Sequence, residues 1–247
     1  MKTVLITGAS SGLGAALARR FAATGRYRIY GVSRHRPDDI TGFAGYYSCD
    51  LSLPESTALL AQELKKDGIA VDILVNNAGV GAYGTWSELP MDELRKLMEI
   101  DFFAPVALTR ELLPDLRSRK GAVINISSVA GKVYVPCMGA YNAAKFSLAA
   151  FSRTLRIEEA KNSVRVMTVY PGRIGTGFST RACICRPAPA TPGSKATSAE
   201  EFATCVVSGF ERGKEELLYP WWYCFFRLFV AIAPGFYAQK CRQLWKI

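Results

Sequence analysis

The chain has 247 residues, 49% of them hydrophobic and 21% charged, enough for one sizeable core, which excludes a disordered chain, a collagen-like chain and a small disulfide scaffold. Its formal net charge is +10, from 31 Lys and Arg against 21 Asp and Glu; that balance serves solubility first and also suits an anionic ligand or an anionic membrane surface. The single histidine, His35, sits between Arg34 and Arg36, which excludes a multi-histidine zinc site and leaves a Ser-His-Asp triad only a loop residue to use.

The first element, Lys2–Thr7, reads as a short apolar strand. Residues 12–25 read as a helix, with Leu13, Leu17 and Phe21 on one stripe and Gly25 as its stop. A second strand is predicted over 28–33, and a helix over 54–66 on the repeat of Leu59, Leu60 and Leu64. Residues 72–75 are an apolar run ending at Asn76. Residues 91–116 read as one helix bent near Pro105, because proline removes an internal hydrogen bond. Then come a strand at Ala122–Ile126, a helix over 140–161 and a strand over 164–169. Strands alternating with helices predict an α/β fold, a parallel sheet covered on both faces. Residues 173–197, rich in Gly, Pro, Ala and Ser, break this rhythm just after a strand. They read as a flexible lid at the sheet edge where ligands sit. Residues 198–213 read as a helix capped by Thr197 or Ser198, with Glu200 and Glu201 in its first turn.

Other classes of function fall away. No long Lys/Arg run interleaves with aromatics, so nucleic acid is not an expected partner. The seven cysteines are scattered, and Cys183 and Cys185 have no second pair at zinc-ribbon spacing, so free thiols in a reducing cytosol are expected. Thr7, Gly8, Ser10, Ser11 and Gly12 interrupt the first apolar run. The start therefore reads as mature protein rather than a secretory signal.

The first strand runs into TGASSGLG, residues 7–14, and then into a helix. Gly8 permits a tight turn, Gly12 lets the backbone approach a pyrophosphate, and Gly14 lets helix and strand pack closely. Free backbone N–H groups at the helix start favour phosphate oxygens. Leu13 follows Gly12, so the lysine of a Walker loop is missing. That favours a dinucleotide over phosphoryl transfer. The second strand ends in GVSRHR, residues 31–36, with Ser33 then Arg34 and Arg36 where an NAD site commonly has an acid. Arginine suits a 2′-phosphate, so NADP is the expected cofactor. The competing reading is that these are solvated loop arginines.

Taken in order, TGASSGLG at 7–14, NNAG at 76–79, ISS at 126–128, YNAAK at 141–145 and PGRIGT at 171–176 resemble the motifs of the short-chain dehydrogenase/reductase family, in its single-domain branch of about 250 residues. The match runs from Thr3 to about Tyr219. The resemblance implies a Rossmann-type doubly wound sheet in one domain, residues 1–219, with 220–247 as an aromatic extension of it. It implies that Gly8, Ser11, Gly12, Leu13 and Gly14 line the pyrophosphate and that Arg34 meets the 2′-phosphate. Asp50 and Leu51 would flank the adenine, and Asn77, Ala78 and Gly79 the adenosine ribose side. Pro171, Gly172, Ile174 and Thr176 would hold the carboxamide, and Lys145 would also fix the nicotinamide ribose. A dimer or tetramer is implied as well.

The chemistry has its own argument. Tyr141 and Lys145 are four apart on a helix and share a face. Alone they would read as an exposed surface pair. A free tyrosine titrates near pH 10, and a neighbouring ammonium is expected to lower that value. Tyr141 then serves as general acid in reduction or base in oxidation, and Ser128 can bond the same substrate oxygen. The family commonly has an Asn where this chain has Asp101, and in the family that Asn holds a water chain reaching the lysine. Three readings stand: a modified relay, a local helix role, or impaired catalysis.

Residues 221–233 carry only Arg227 as a charge; Lys240, Arg242 and Lys246 follow, with no acid after Glu216. The apolar run is short of the about 20 residues a spanning helix needs. Burial over the pocket or against another subunit is the first reading of 220–247. Peripheral membrane contact through 221–247 is the second. Phe178, Trp221, Trp222, Tyr223, Phe225 and Phe226, with a wall at 133–138, suggest a lipophilic carbonyl or alcohol substrate. The leading expectation is thus a cytoplasmic NADP-dependent reductase. Its rivals are a cofactor-binding or membrane-associated regulatory protein with impaired turnover and an NAD-linked alcohol dehydrogenase.

Overall fold

The computed structural model describes residues 1–39, 41–189 and 196–247. Seven strands form one parallel sheet: β1 Lys2–Thr7, β2 Tyr27–Ser33, β3 Gly45–Ser48, β4 Ile73–Asn76, β5 Ala122–Ile126, β6 Arg165–Pro171 and β7 Glu216–Tyr219. Their order across the sheet is 3-2-1-4-5-6-7. The strands are apolar without alternation because both faces are covered. Val4 and Ile6 pack with Leu17 and Phe21 of α1 Gly12–Ala22 and Phe202 and Val206 of α6 Ala199–Glu211. Leu5, between them, points the other way, toward Leu60 of α2 Ser56–Lys66, Leu108 and Leu112 of α4 Ala104–Ser118, and Leu155 of α5 Gly139–Glu158. This is the doubly wound, Rossmann-type arrangement. Its connections reverse direction between β1 and β4, which opens a crevice at the carboxyl ends of those strands.

Several expectations are corrected. Residues 91–116 are not one bent helix but α3 Met91–Met98, a π turn Glu99–Phe103, and α4. Pro105 lies at the start of α4 and has no N–H to give. The ladder widens just upstream, where Ala104 N–H donates to the Glu99 carbonyl. β3 and β7, absent from the sequence reading, are four-residue edge strands with little burial and so no apolar run to betray them. The region 173–197 holds short strand pairings: Ile174–Gly175 pairs with Thr197–Ser198, and Cys183–Ile184 with Ala82–Tyr83. Its residues 190–195 lie outside the described residues. Ser198 caps α6, its hydroxyl accepting from Glu201 N–H at 3.1 Å. All seven cysteines are free thiols.

The C-terminal stretch forms two helices, α7 Tyr223–Ile232 and α8 Pro234–Trp245, broken at Pro234. Val230, Tyr237 and Cys241 pack on Val133, and Tyr237 donates to the Tyr134 carbonyl at 2.6 Å. The burial expected for this tail holds for that inner face alone. Trp221 is 70% exposed and Ile232 74%, with Phe225, Leu228 and Phe229 between them also open. Among the described residues no helix is long and apolar enough to cross a membrane.

Candidate active site

A cavity of about 1190 Å³ opens at the carboxyl ends of β1 to β6. Its upper rim is the turn after β1. Gly8 and Gly12 have φ of +66° and +55°, in the region that favours glycine. A Cβ on Gly14 would come within 2.1 Å of the Gly8 carbonyl oxygen, so helix and turn meet only because that side chain is missing. Ser11, at the N-cap of α1, makes no side-chain cap hydrogen bond, and the first turn holds no acid. The N–H groups and positive pole of α1 are therefore available to an anion. Across the turn, Thr7 Oγ1 accepts from the N–H groups of Asn77 and Ala78, each at 3.0 Å, and Asn77 Nδ2 donates to the Thr7 carbonyl at 2.9 Å. These bonds tie the ends of β1 and β4 together where the crevice opens. Arg34 follows β2 beside Asp50, and both line the cavity. Asp50 is held below the usual carboxylate range: burial opposes this, but hydrogen bonds from the Ser52 N–H and hydroxyl and the charge of Arg34 outweigh it. No acid takes the place of Ser33 or Arg34 at the end of β2. A nicotinamide dinucleotide fits this set: a glycine-rich cradle and open N–H donors for its phosphates, with Arg34 and Asp50 further along the cavity.

Tyr141 and Lys145 project from α5 into the floor of the cavity. The Lys145 ammonium is 3.0 Å from Asp101 Oδ2 and donates to the Ile126 carbonyl at 3.2 Å. Asp101 Oδ1 accepts from the Val80 N–H at 2.7 Å. Both side chains of this ion pair are buried. Gly79 lies against them, since a Cβ there would sit 3.3 to 3.4 Å from the carboxylate and the ammonium. Ser128 stands beside the Tyr141 hydroxyl, and its own hydroxyl accepts from Ala130 N–H at 3.1 Å. The electrostatics correct one expectation: the Tyr141 phenol stands above its ordinary value, not below it. Burial raises it most, the Lys145 ammonium opposes that, and Asp101 adds to it. Burial penalises the Lys145 charge most, but Asp101 and the Tyr141 oxygen together outweigh it and raise the amine. The π turn is what brings Asp101 to this place.

Of the residues expected at the site, Ser128, Tyr141, Lys145, Gly8, Ser11, Leu13, Gly14, Arg34, Asp50, Leu51, Asn77, Ala78, Gly79, Pro171, Gly172, Ile174 and Thr176 line the cavity. Gly12 and Asp101 do not. Gly12, half-buried, lies against Thr176, and Asp101 is fully buried behind Lys145. Phe178 and Tyr223 line the cavity, but Trp221, Trp222, Phe225 and Phe226 do not: α7 turns Phe226 toward Tyr237 and leaves the other three exposed. Val135 and Met138 supply the wall expected from 133–138. Sequence reasoning missed five contributors. Asn142 Nδ2 donates to the Ala130 and Val133 carbonyls at 2.8 and 2.9 Å, fixing the turn after Ser128 against α5. Ser127 donates to the Lys145 carbonyl at 3.0 Å. Leu244 and Trp245 of α8 close one side. Arg181 also lines the cavity and donates to Ser11 Oγ at 2.8 Å, placing a cation at the positive end of α1. The positions of Asn142 beside Tyr141 in YNAAK and of Ser127 beside Ser128 in ISS were the available sequence signals.

The sequence model described as short chain dehydrogenase matches residues 2–183. The chain belongs to the short-chain dehydrogenase family. It is 37% identical over 199 residues to the mouse (Mus musculus) dehydrogenase/reductase SDR family member 7B, covering 72% of this chain and 59% of that protein. It is 33% identical over 177 residues to a 3-ketodihydrosphingosine reductase of Bacteroides thetaiotaomicron, covering 71% and 65%. It therefore spans about three-fifths of the length of such curated relatives. Among solved structures, a short-chain dehydrogenase from Sphingobium yanoikuyae in complex with NADPH superposes with a TM-score of 0.80 at 26% identity, covering 96% of each chain. The family is one of oxidoreductases that use a nicotinamide cofactor.

Proposed function

We propose that this short-chain dehydrogenase is an NADP-dependent oxidoreductase that reduces a lipophilic carbonyl to an alcohol. The observation that carries the reading is the meeting of Ser128, Tyr141 and Lys145 on the floor of a cavity whose rim is the glycine turn. A bound NADPH would supply the hydride. The chain's own residues do the rest. Gly8, Ser11, Gly12, Leu13 and Gly14 would hold the pyrophosphate and Arg34 the 2′-phosphate, with Asp50, Leu51, Asn77, Ala78 and Gly79 along the adenosine and Pro171, Gly172, Ile174 and Thr176 at the carboxamide. Tyr141 and Ser128 hold the substrate oxygen between their hydroxyls. A phenol kept protonated by burial is suited to give its proton to that oxygen, and the nearby ammonium stabilises the phenolate left behind. Asp101 positions Lys145. Its ion pair favours the modified relay over the reading of impaired catalysis.

A lipophilic substrate is supported by Val135, Met138, Phe178, Tyr223, Leu244 and Trp245 along the wall, and is in keeping with the sphingoid ketone named for the Bacteroides relative. NADP preference is supported by Arg34 and by the NADPH complex of the Sphingobium neighbour. The proposal also carries residues 220–247 as an extension of the same domain, a cytoplasmic location with peripheral membrane contact through 221–247, and a homo-oligomer. The outer face of α5 leaves Phe146 and Ile157 exposed for such an assembly.

The test is consumption of NADPH and of NADH with a panel of aliphatic and aromatic ketones. Turnover with NADPH at lower KM than NADH supports the reading. Tight NADPH binding with no consumption on any ketone contradicts it.

A further inference from the structure

The outer face of α7 has no partner. Phe225, Leu228, Phe229 and Ile232 follow the helical spacing i, i+3, i+4, i+7 and form one exposed stripe. Trp221 extends it at one end and Phe236 of α8 at the other. A monomeric protein rarely leaves so continuous an apolar face in water. The same hairpin carries Arg227, Lys240, Arg242 and Lys246, all exposed, and no acid follows Glu216. The Lys240 ammonium lies over the ring of Phe236, 5.5 Å from its centroid, so a cation sits beside the end of the apolar stripe.

We propose that this hairpin lies in the interface of an anionic lipid bilayer. Charge selects that partner over a second copy of the chain. Twofold self-pairing of the hairpin would bring its lysines and arginines near those of the second copy with no Asp or Glu of the hairpin to answer them, whereas anionic headgroups neutralise them. Aromatic rings with flanking lysine and arginine are the composition that settles at the lipid–water boundary. Each helix is too short to cross a membrane, so the hairpin lies along the surface. Tyr223, Leu244 and Trp245 of the same hairpin line the cavity, so docking sets one wall of the site against the lipid. This last consequence rests on the reductase reading; the docking itself does not.

The test is flotation of the full chain with phosphatidylcholine vesicles and with vesicles holding about one phosphatidylserine in three. We expect binding to the anionic vesicles at least about tenfold tighter, weakened by salt. The variant L228S/I232S should lose it by a similar factor, while NADPH affinity and turnover of a water-soluble ketone stay unchanged. A second variant, R227Q/K240Q/K246Q, leaves the apolar packing alone and should abolish the preference for phosphatidylserine. Equal binding to both vesicles, or binding untouched by either variant, would overturn the inference. So would a dimer in solution that L228S/I232S dissociates. Absent turnover beside intact vesicle binding would count against the reductase reading alone.

Discussion

An asparagine in place of Asp101 would leave the Lys145 ammonium buried with a neutral neighbour. Burial lowers an amine and raises a phenol, and here Asp101 works with Tyr141 to reverse the first effect and adds to the second. In Asp101→Asn both groups therefore move down in pH. The alkaline limb of the reductase pH profile, where Lys145 loses its charge and Tyr141 its proton, should shift toward neutrality. A profile that keeps its shape would assign Asp101 a purely structural role. Arg34 carries a separate claim. Removing a charge-assisted contact to a phosphate costs about 1.5–3 kcal/mol, so Arg34→Ala should weaken NADPH by about tenfold or more and leave NADH nearly unchanged, as measured by fluorescence titration. Most of this site was legible in the sequence because its residues come as short contiguous motifs. Arg181, Leu244 and Trp245 were not, since each reaches the cavity from an element remote in sequence. The raised phenol of Tyr141 was hidden too, because its burial is a property of the packed fold.

At the scale of single elements, the junction of β1 and α1 depends on a missing side chain. A methyl at Gly14 would collide with the Gly8 carbonyl and force the helix away from the turn. Gly14→Ala should destabilise the fold by about 1–3 kcal/mol and weaken NADPH binding at least about tenfold, read by thermal denaturation and by titration; unchanged values would remove the close approach from the argument. Apolar runs such as Lys2–Thr7 and Ala122–Ile126 announced themselves, since burial on both faces favours apolar residues and admits a polar one such as Asn125 only with hydrogen-bond partners, here Asn76 and Ser152. β3 and β7 did not, because an edge strand of four residues needs no such run. The π turn at Glu99–Phe103 escaped for a different reason. Proline signals a break in the ladder without saying whether the chain kinks or widens, and here it widens, turning Asp101 inward to Lys145.

At the scale of the molecule, the sheet puts the phosphate cradle and the proton donor on one edge, and the C-terminal hairpin supplies a wall to the space between them. That wall is apolar, so binding should improve as an alkyl ketone grows along it. At about 0.8 kcal/mol per buried methylene, kcat/KM should rise about fourfold for each carbon added until the wall is filled, and a flat series would contradict a lipophilic pocket. The hairpin also shows the limit of composition as a guide: its aromatic content fits burial or lipid equally, and the observed exposure of the stripe from Trp221 to Ile232 excludes only burial of that stripe against the chain's own fold. The central claim is that Tyr141 gives the proton during hydride transfer. It is tested most directly by single-turnover oxidation of enzyme-bound NADPH with the best ketone of the panel, comparing wild type with Tyr141→Phe at equal cofactor saturation. The account requires the rate to fall by about a hundredfold or more with NADPH affinity intact; a rate within about twofold of wild type, far short of what general acid catalysis contributes, would contradict it.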